Sequence, residues 1–283
     1  MNKNRHVLTI QCQDQPGIVK AATEAIYSNG GNIIESAQFS HDPTETFCLR
    51  MEVDIPPTQA NPFSMALREQ LSRFDPMISV RAFEQRRKVV LMVSKADHCL
   101  LDILYHWAAD ELPVDIVAVV ANHRNLEPLA ESYGIPFHLL QITPENKAEQ
   151  EAVLHSIVSE SGGDFIVLAR YMQILSDEFC SRYPGRIINI HHSFLPGFKG
   201  ARPYHQAYER GVKLIGATAH YVTSDLDEGP IIEQDVVRVS HRLDGDDLVK
   251  VGRDVERRVL TRAIRLHAED RVMLTGTRTV VFD

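Results

Sequence analysis

Residues 186–234 read RIINIHHSFLPGFKGARPYHQAYERGVKLIGATAHYVTSDLDEGPIIEQ, and this stretch decides the architecture. Ile187–Ile190 is a short apolar run interrupted only by Asn189, Pro203–Arg210 has helical spacing, and Gly216–Val222 is mostly apolar again, with Thr218 and His220 inside it. Short strands without polar alternation, separated by a helix, describe a parallel sheet covered on both faces. Working outward, the same alternation runs back to Lys88. Strands are expected at Val89–Val93, Asp115–Val120, Phe137–Leu140 and Phe165–Leu168, with helices such as Cys99–Asp110 and Glu145–Glu160 between them. A long last helix is expected over Asp246–His267. Its buried stripe is Leu248, Val251, Val255, Val259, Ala263 and Leu266, and Arg253, Glu256, Arg257 and Arg262 fall off that stripe as a solvated face.

The first 85 residues follow a different order. His6–Gln13 alternates as a strand, Asp14–Gly17 turns, and Ile18–Asn29 places apolar residues on one helical face before Gly30-Gly31 stops it. Strands Asn32–Ser40 and Phe47–Ile55, a helix over Pro62–Phe74 and a strand at Ile78–Glu84 complete βαββαβ, the ferredoxin-like order. The charged run Gln85–Lys88 is the break. The expected organisation is thus a small domain over 1–85 and a Rossmann-like α/β domain over 86–283, its sheet mostly parallel.

Composition narrows the function. The chain has 283 residues, 44% apolar and 24% charged, with a formal charge of -8, so it is globular and offers little to a duplex nucleic acid. No apolar stretch approaches the roughly 18–20 residues of a membrane helix. Met1–His6 runs into a strand without a signal-like apolar region. Cys12, Cys48, Cys99 and Cys180 are widely spaced. These features lead to the expectation of reduced thiols in a cytoplasmic protein.

The chemistry concentrates in 186–234. On a strand, Asn189 and His191 point to one face and Ile190 to the other, and they emerge at a strand end, where open α/β sheets place their sites. His220 closes another strand, ahead of a loop carrying Asp225, Asp227 and Glu228. An amide, an imidazole and a carboxylate suit acyl transfer: Asn can hold an oxyanion, His can donate to it or to a leaving nitrogen, and Asp can orient the His or take a proton. The plainer alternative is a turn-capping Asn, a satisfied His and a solvated acidic loop. A metal is the competing chemistry, through His191, His192, His205, His220, Asp225 and Asp227. However, adjacent His191 and His192 would diverge on a strand, and no His-Glu-x-x-His occurs. Ser193 and Ser224 lack a nucleophile elbow.

Asn189-Ile190-His191, Ser193–Pro196, and Asp227 seven residues after His220 and ahead of Gly229-Pro230 resemble the signature of the folate-dependent formyltransferases. Arg170–Leu175 resembles that family's folate-pocket segment, and the likeness extends from Lys88 to the C-terminus. The resemblance implies Asn189, His191 and Asp227 as the catalytic trio, and Arg170, Met172, Gln173, Ile174, Leu175 and Val222 around the pterin. It implies no metal or other cofactor, since the folate is the substrate.

Residues 1–85 resemble an ACT domain, on Asp14–Val19 and Gly30–Ile33. This implies an amino-acid effector near Asp14, Gly17 and Asn32, held by exposed backbone N–H groups at the two turns, and a homo-oligomer. An ACT domain ahead of a formyltransferase-type domain implies hydrolysis of 10-formyltetrahydrofolate to formate and tetrahydrofolate, feeding purine synthesis and balancing the folate pool. Two alternatives stand beside it: formyl transfer to an amine, and a folate- or amino-acid-binding regulator without turnover. In the family's glycinamide ribonucleotide enzyme a Gly-rich turn cradles a phosphate. Here that turn is Ser94-Lys95-Ala96-Asp97-His98, without glycine and with Asp97 set to repel an anion, and His192 stands where the transferases commonly carry proline. Both departures favour water as acceptor. Which of Asp227 and His191 is the working base stays open.

Overall fold

A computed structural model describes residues 4–197 and 202–283. The chain divides into two compact units, Met1–Arg86 with Glu269–Asp283, and Arg87–Ala268.

In the first unit β1 (Arg5–Gln13), α1 (Ile18–Ser28), β2 (Asn32–His41), β3 (Thr46–Asp54), α2 (Ala60–Leu71) and β4 (Met77–Ala82) build an antiparallel sheet of order β2-β3-β1-β4. One face is apolar: Leu8, Ile10, Leu49 and Met51 meet Ile18, Ala22, Phe63 and Leu67 of the helices. The alternate residues of β3, Cys48, Arg50 and Glu52, are buried too.

This second buried face corrects the expected 86–283 domain, because its cover comes from the other end of the chain. The hairpin that follows α8, described below, stacks Met273, Val280 and Phe282 on Cys48. Arg50, only 1% exposed, donates Nε to the Glu269 carbonyl at 3.1 Å and pairs with Glu52 at 2.9 Å. A guanidinium that deep stays in place only when its donors are used.

The second unit runs β5 (Arg87–Val93), α3 (His98–Ala108), β6 (Val114–Ala121), α4 (Glu127–Ser132), β7 (Phe137–Leu139), α5 (Lys147–Ser161), β8 (Phe165–Leu168), α6 (Asp177–Arg182), β9 (Ile187–His191), α7 (Pro203–Glu209), β10 (Leu214–Tyr221), β11 (Ile231–Arg238) and α8 (Gly245–Ala268). The hairpin strands of the first unit are β12 (Val272–Thr275) and β13 (Arg278–Val281). The seven-stranded sheet is ordered β11-β10-β9-β8-β5-β6-β7. Its pairs from β9 to β7 are parallel, and β10 is antiparallel to both β9 and β11. Val90, Met92, Ile166 and Leu168 take Leu154 and Val158 of α5 and Phe179 and Cys180 of α6, while α8 packs against β9, β10 and β11 with α3 and α7 beside it.

The expected solvated face of α8 is not uniform. Arg253 is exposed, but Glu256 is 1% exposed. Glu256 stands one turn beyond Gly252, on the edge of the apolar stripe, where partners from other elements reach it. All four cysteines are free and buried. Among the described residues, no helix is long and apolar enough to cross a membrane.

Candidate active site

The antiparallel β10 puts His220 directly opposite Asn189, so the two side chains share one face of the sheet with His191. The carboxyl end of β10 therefore lies beside the start of β9, where Val222 N–H meets the Ile187 carbonyl at 2.9 Å. The following loop has to return over the sheet for its carboxylate to reach His191, and two features turn it back. Asp227 adopts φ +57. Gly229 packs so close to Tyr221 that a Cβ would stand 1.7 Å from the Tyr221 carbonyl oxygen. Only glycine allows that approach.

The return brings the trio together. His191 Nδ1 lies 3.2 Å from Asp227 Oδ1, and His220 Nε2 lies 3.7 Å from the same oxygen. The Asn189 amide Nδ2 is 3.2 Å from His220 Nε2. His220 Nδ1 is 2.9 Å from the Tyr221 carbonyl, which can only accept, so Nδ1 carries a proton. Burial works against the charge on Asp227. The hydrogen bond from His191 and the contact with His220 outweigh it and hold the carboxyl well below its ordinary range. His191 is 4% exposed, and its other nitrogen, Nε2, is buried without a hydrogen-bond partner. Donation from Nδ1 to Asp227 leaves Nε2 as an acceptor.

These groups line a cleft of about 610 Å³. Arg170, Met172, Gln173, Ile174, Leu175 and Val222 line it too. Met172 N–H donates to the buried Ser94 hydroxyl at 3.0 Å, tying the 170–175 segment to the end of β5. Arg170, Arg202 and Asp227 all hold left-handed backbone, at φ +63, +54 and +57, and all three border the cleft. Such conformations on non-glycine residues concentrate at functional sites.

Several expectations change. The rings of His191 and His192 do not diverge: β9 ends at His191, and the two stack with centroids 5.3 Å apart. Burial, with Arg170 adding to it, pushes the His192 imidazole down to about 3. Asp97 is exposed and does not line the cleft, whereas Ala96 and His98 do. Glu256, Tyr204 and His98 also line it, and of these His98 alone belonged to a turn singled out in the sequence, while Glu256 and Tyr204 carried no motif. Their signal was faint: an acid at the edge of an apolar stripe, one turn beyond a glycine.

The six residues suspected of holding a metal gather no ligand group among the described residues. A different trio, His98, Cys99 and Glu256, brings its ligand atoms within 4.8 Å. Glu256 already accepts from Tyr204 and His98 and pairs with Arg170, and burial pushes the Cys99 thiol well up.

In the first unit, Gly17 has φ +103 and opens α1, and Asn32 begins β2 on the surface. Three of the backbone donors at the two turns are used within the fold. Gly30 and Gly31 N–H close α1 on the Tyr27 and Ile26 carbonyls, and Asp14 N–H meets the Glu45 carbonyl.

Residues 87–264 match the formyl transferase family. A formyltetrahydrofolate deformylase from Synechocystis is 48% identical over 97% of this chain and 97% of its own length. The crystal structure of a formyltetrahydrofolate deformylase from Burkholderia mallei superposes with a TM-score of 0.96 at 45% identity, covering 99% of this chain and 100% of that one. A glycinamide ribonucleotide transformylase from Symbiobacterium toebii matches at TM-score 0.65 and 31% identity, over 70% of this chain and 95% of its own. The fold is that of the formyl-group enzymes. The chain belongs to the formyl transferase family and, within it, to the formyltetrahydrofolate deformylases.

Proposed function

We propose that this chain hydrolyses 10-formyltetrahydrofolate to formate and tetrahydrofolate, with Asn189, His191 and Asp227 as the reacting groups. The observation that carries this assignment of roles is the buried, unpartnered Nε2 of His191, backed on Nδ1 by ionised Asp227. Water attacks the formyl carbon as Nε2 takes its proton. The resulting imidazolium is stabilised by Asp227. The formyl oxygen becomes an oxyanion, and the Asn189 amide is the neutral donor assigned to hold it. Losing one such donor typically costs about 2.7–4 kcal/mol of barrier. The C–N10 bond then breaks as Nε2–H returns its proton to N10, and formic acid leaves as formate. The second oxygen of Asp227 can orient the attacking water. The pterin ring lies along Met172–Leu175 and Val222. The scheme is complete without a metal or redox cofactor, and the formate would feed purine synthesis.

For the first unit the proposal is assembly. Strand β2 is a sheet edge, and Ile33, Ile34 and Phe39 on it are exposed. An open ladder beside apolar side chains suits pairing with a second copy. An amino-acid effector near Asp14, Gly17 and Asn32 is the companion role, and calorimetry with the common amino acids tests it.

Incubation with 10-formyltetrahydrofolate and no acceptor is the direct test of the reaction. Equal amounts of formate and tetrahydrofolate are expected. No formate from the folded chain would overturn the assignment.

A further inference from the structure

A continuous line of contacts leads from the proposed reacting groups to Glu256. The ring of His191 stacks on His192, and the His192 ring lies 6.1 Å from that of Tyr204. The Tyr204 hydroxyl donates to Glu256 Oε1 at 2.8 Å. The other oxygen, Oε2, forms a hydrogen bond with His98 Nε2 at 2.8 Å and an ion pair with Arg170, whose Nε lies 3.3 Å away. Burial opposes the charge on Glu256, yet the His98 hydrogen bond and the Arg170 guanidinium hold its carboxyl below the ordinary range. A carboxylate this deep is kept only with its partners in place.

Helix α8 is shaped around the cluster. A Cβ at Gly252 would stand 2.1 Å from the Tyr204 ring and 2.4 Å from its hydroxyl. The helix gives up a side chain so that Tyr204 can reach the acid one turn on. His98, Arg170, Tyr204 and Glu256 all line the cleft, yet none of them moves a proton or holds the oxyanion in hydrolysis.

Hydrolysis and formyl transfer share the same attack, collapse and proton return, and differ in the nucleophile alone. Water needs almost no room. An amine-bearing acceptor needs a seat beside the formyl carbon, next to His191 and His192. That wall of the cleft is occupied by protein groups bound to one another. A competing acceptor would have to part a buried ion pair and satisfy each member anew.

We propose that Glu256, Arg170, His98 and Tyr204 form a specificity-determining plug that denies an amine acceptor its seat and leaves water as the nucleophile. The inference rests on hydrolysis being the chain's reaction. With the plug opened, an amine nitrogen bonds to the formyl carbon, the C–N10 bond breaks, and the proton lost by the amine passes through His191 Nε2 to N10.

The test follows the full chain with 10-formyltetrahydrofolate and glycinamide, measuring formate and N-formylglycinamide together. His98→Gly removes one wall of the plug, and His98→Ser, which leaves Arg170 and Tyr204 on Glu256, is the milder variant. The ratio of formylglycinamide to formate is expected to rise by about tenfold or more, the scale on which a reshaped pocket changes selectivity. A purely structural cluster would change stability and total rate but not this ratio. A folded variant of either kind with the wild-type ratio overturns the plug, as does a wild type that already formylates glycinamide as readily as it hydrolyses. Should His98→Gly not fold, the ratio from His98→Ser decides. No formate from the wild type with the folate alone overturns hydrolysis and the plug together, whereas formate with an unchanged ratio overturns the plug alone.

Discussion

His191 meets Asp227 through Nδ1, at 3.2 Å, and this contact leaves Nε2 as the imidazole nitrogen not turned to the carboxylate. An ionised carboxylate beside Nδ1 keeps the proton there, so Nε2 is the acceptor in the resting site. In the neutral ring of His191, nitrogen NMR of histidine-labelled protein should find Nδ1 protonated and Nε2 bare. The opposite tautomer would contradict the proposed direction of proton transfer.

Replacing Asp227 by Asn keeps the size of the side chain but removes the charge that supports both imidazoles. Turnover should fall by at least about a hundredfold, the lower scale for losing an acid–base group. Folate affinity should persist, since the pterin pocket lies along other residues. Single-turnover rates and equilibrium binding separate the two, and a variant within tenfold of wild type would remove Asp227 from the mechanism.

His191→Ala should abolish turnover and leave the fold intact. The side chain ends a strand and faces the cleft, so it contributes little to the core. The melting temperature should fall by less than about 4 °C, the shift that corresponds to roughly 1 kcal/mol in a domain of this size. A variant that no longer folds would return His191 to a structural role.

Gly229→Ala should be costly although the residue touches no substrate. Its Cβ would collide with the Tyr221 carbonyl, which is backbone and cannot swing away. The loop must then shift, and Asp227 moves with it. Turnover is expected to drop by about a hundredfold, since a misplacement on the order of 1 Å is enough for that. Full activity would show that the loop holds Asp227 without this close packing.

His192 contributes a pH dependence of stability with a definite sign. Its imidazole is depressed from 6.5 to about 3 in the folded chain. Between those values the unfolded chain binds a proton that the folded chain refuses, so stability rises with pH. The contribution is complete above 6.5 and is lost as pH falls toward 3. His192→Asn should therefore flatten the fall in melting temperature over that interval. Asp227, held below its ordinary 3.8, exerts its own effect only at lower pH. Parallel curves for wild type and variant would show that His192 titrates normally.

Arg50→Ala should destabilise the first unit by about 3 kcal/mol or more, the scale for breaking a buried pair. Arg50 joins Glu52 to the Glu269 carbonyl, so the β12–β13 hairpin should exchange its amide hydrogens faster as well. Denaturant unfolding together with hydrogen exchange on the full chain would show both effects. Unchanged protection in the hairpin would mean that Met273, Val280 and Phe282 hold it alone.

Local patterns determined much of this protein. Apolar runs at Val89–Val93 and Phe165–Leu168, short and set between helical segments, read as buried strands, and on a strand Asn189 and His191 share a face because side chains alternate. The βαββαβ order of the first unit and the spacing of Asp227 from His220 were legible in the same way. Tertiary structure alone decided the rest, because those facts depend on partners distant in the chain. Strand β10 runs antiparallel because it pairs with β9 and β11, a choice that an apolar run does not encode. The C-terminal hairpin belongs with residues 1–86 because β3 has two faces to cover. Glu256 reads as a surface acid on its own helix. It is buried because His98, Arg170 and Tyr204 arrive from three other segments to satisfy its charge, and no periodicity within α8 reports that.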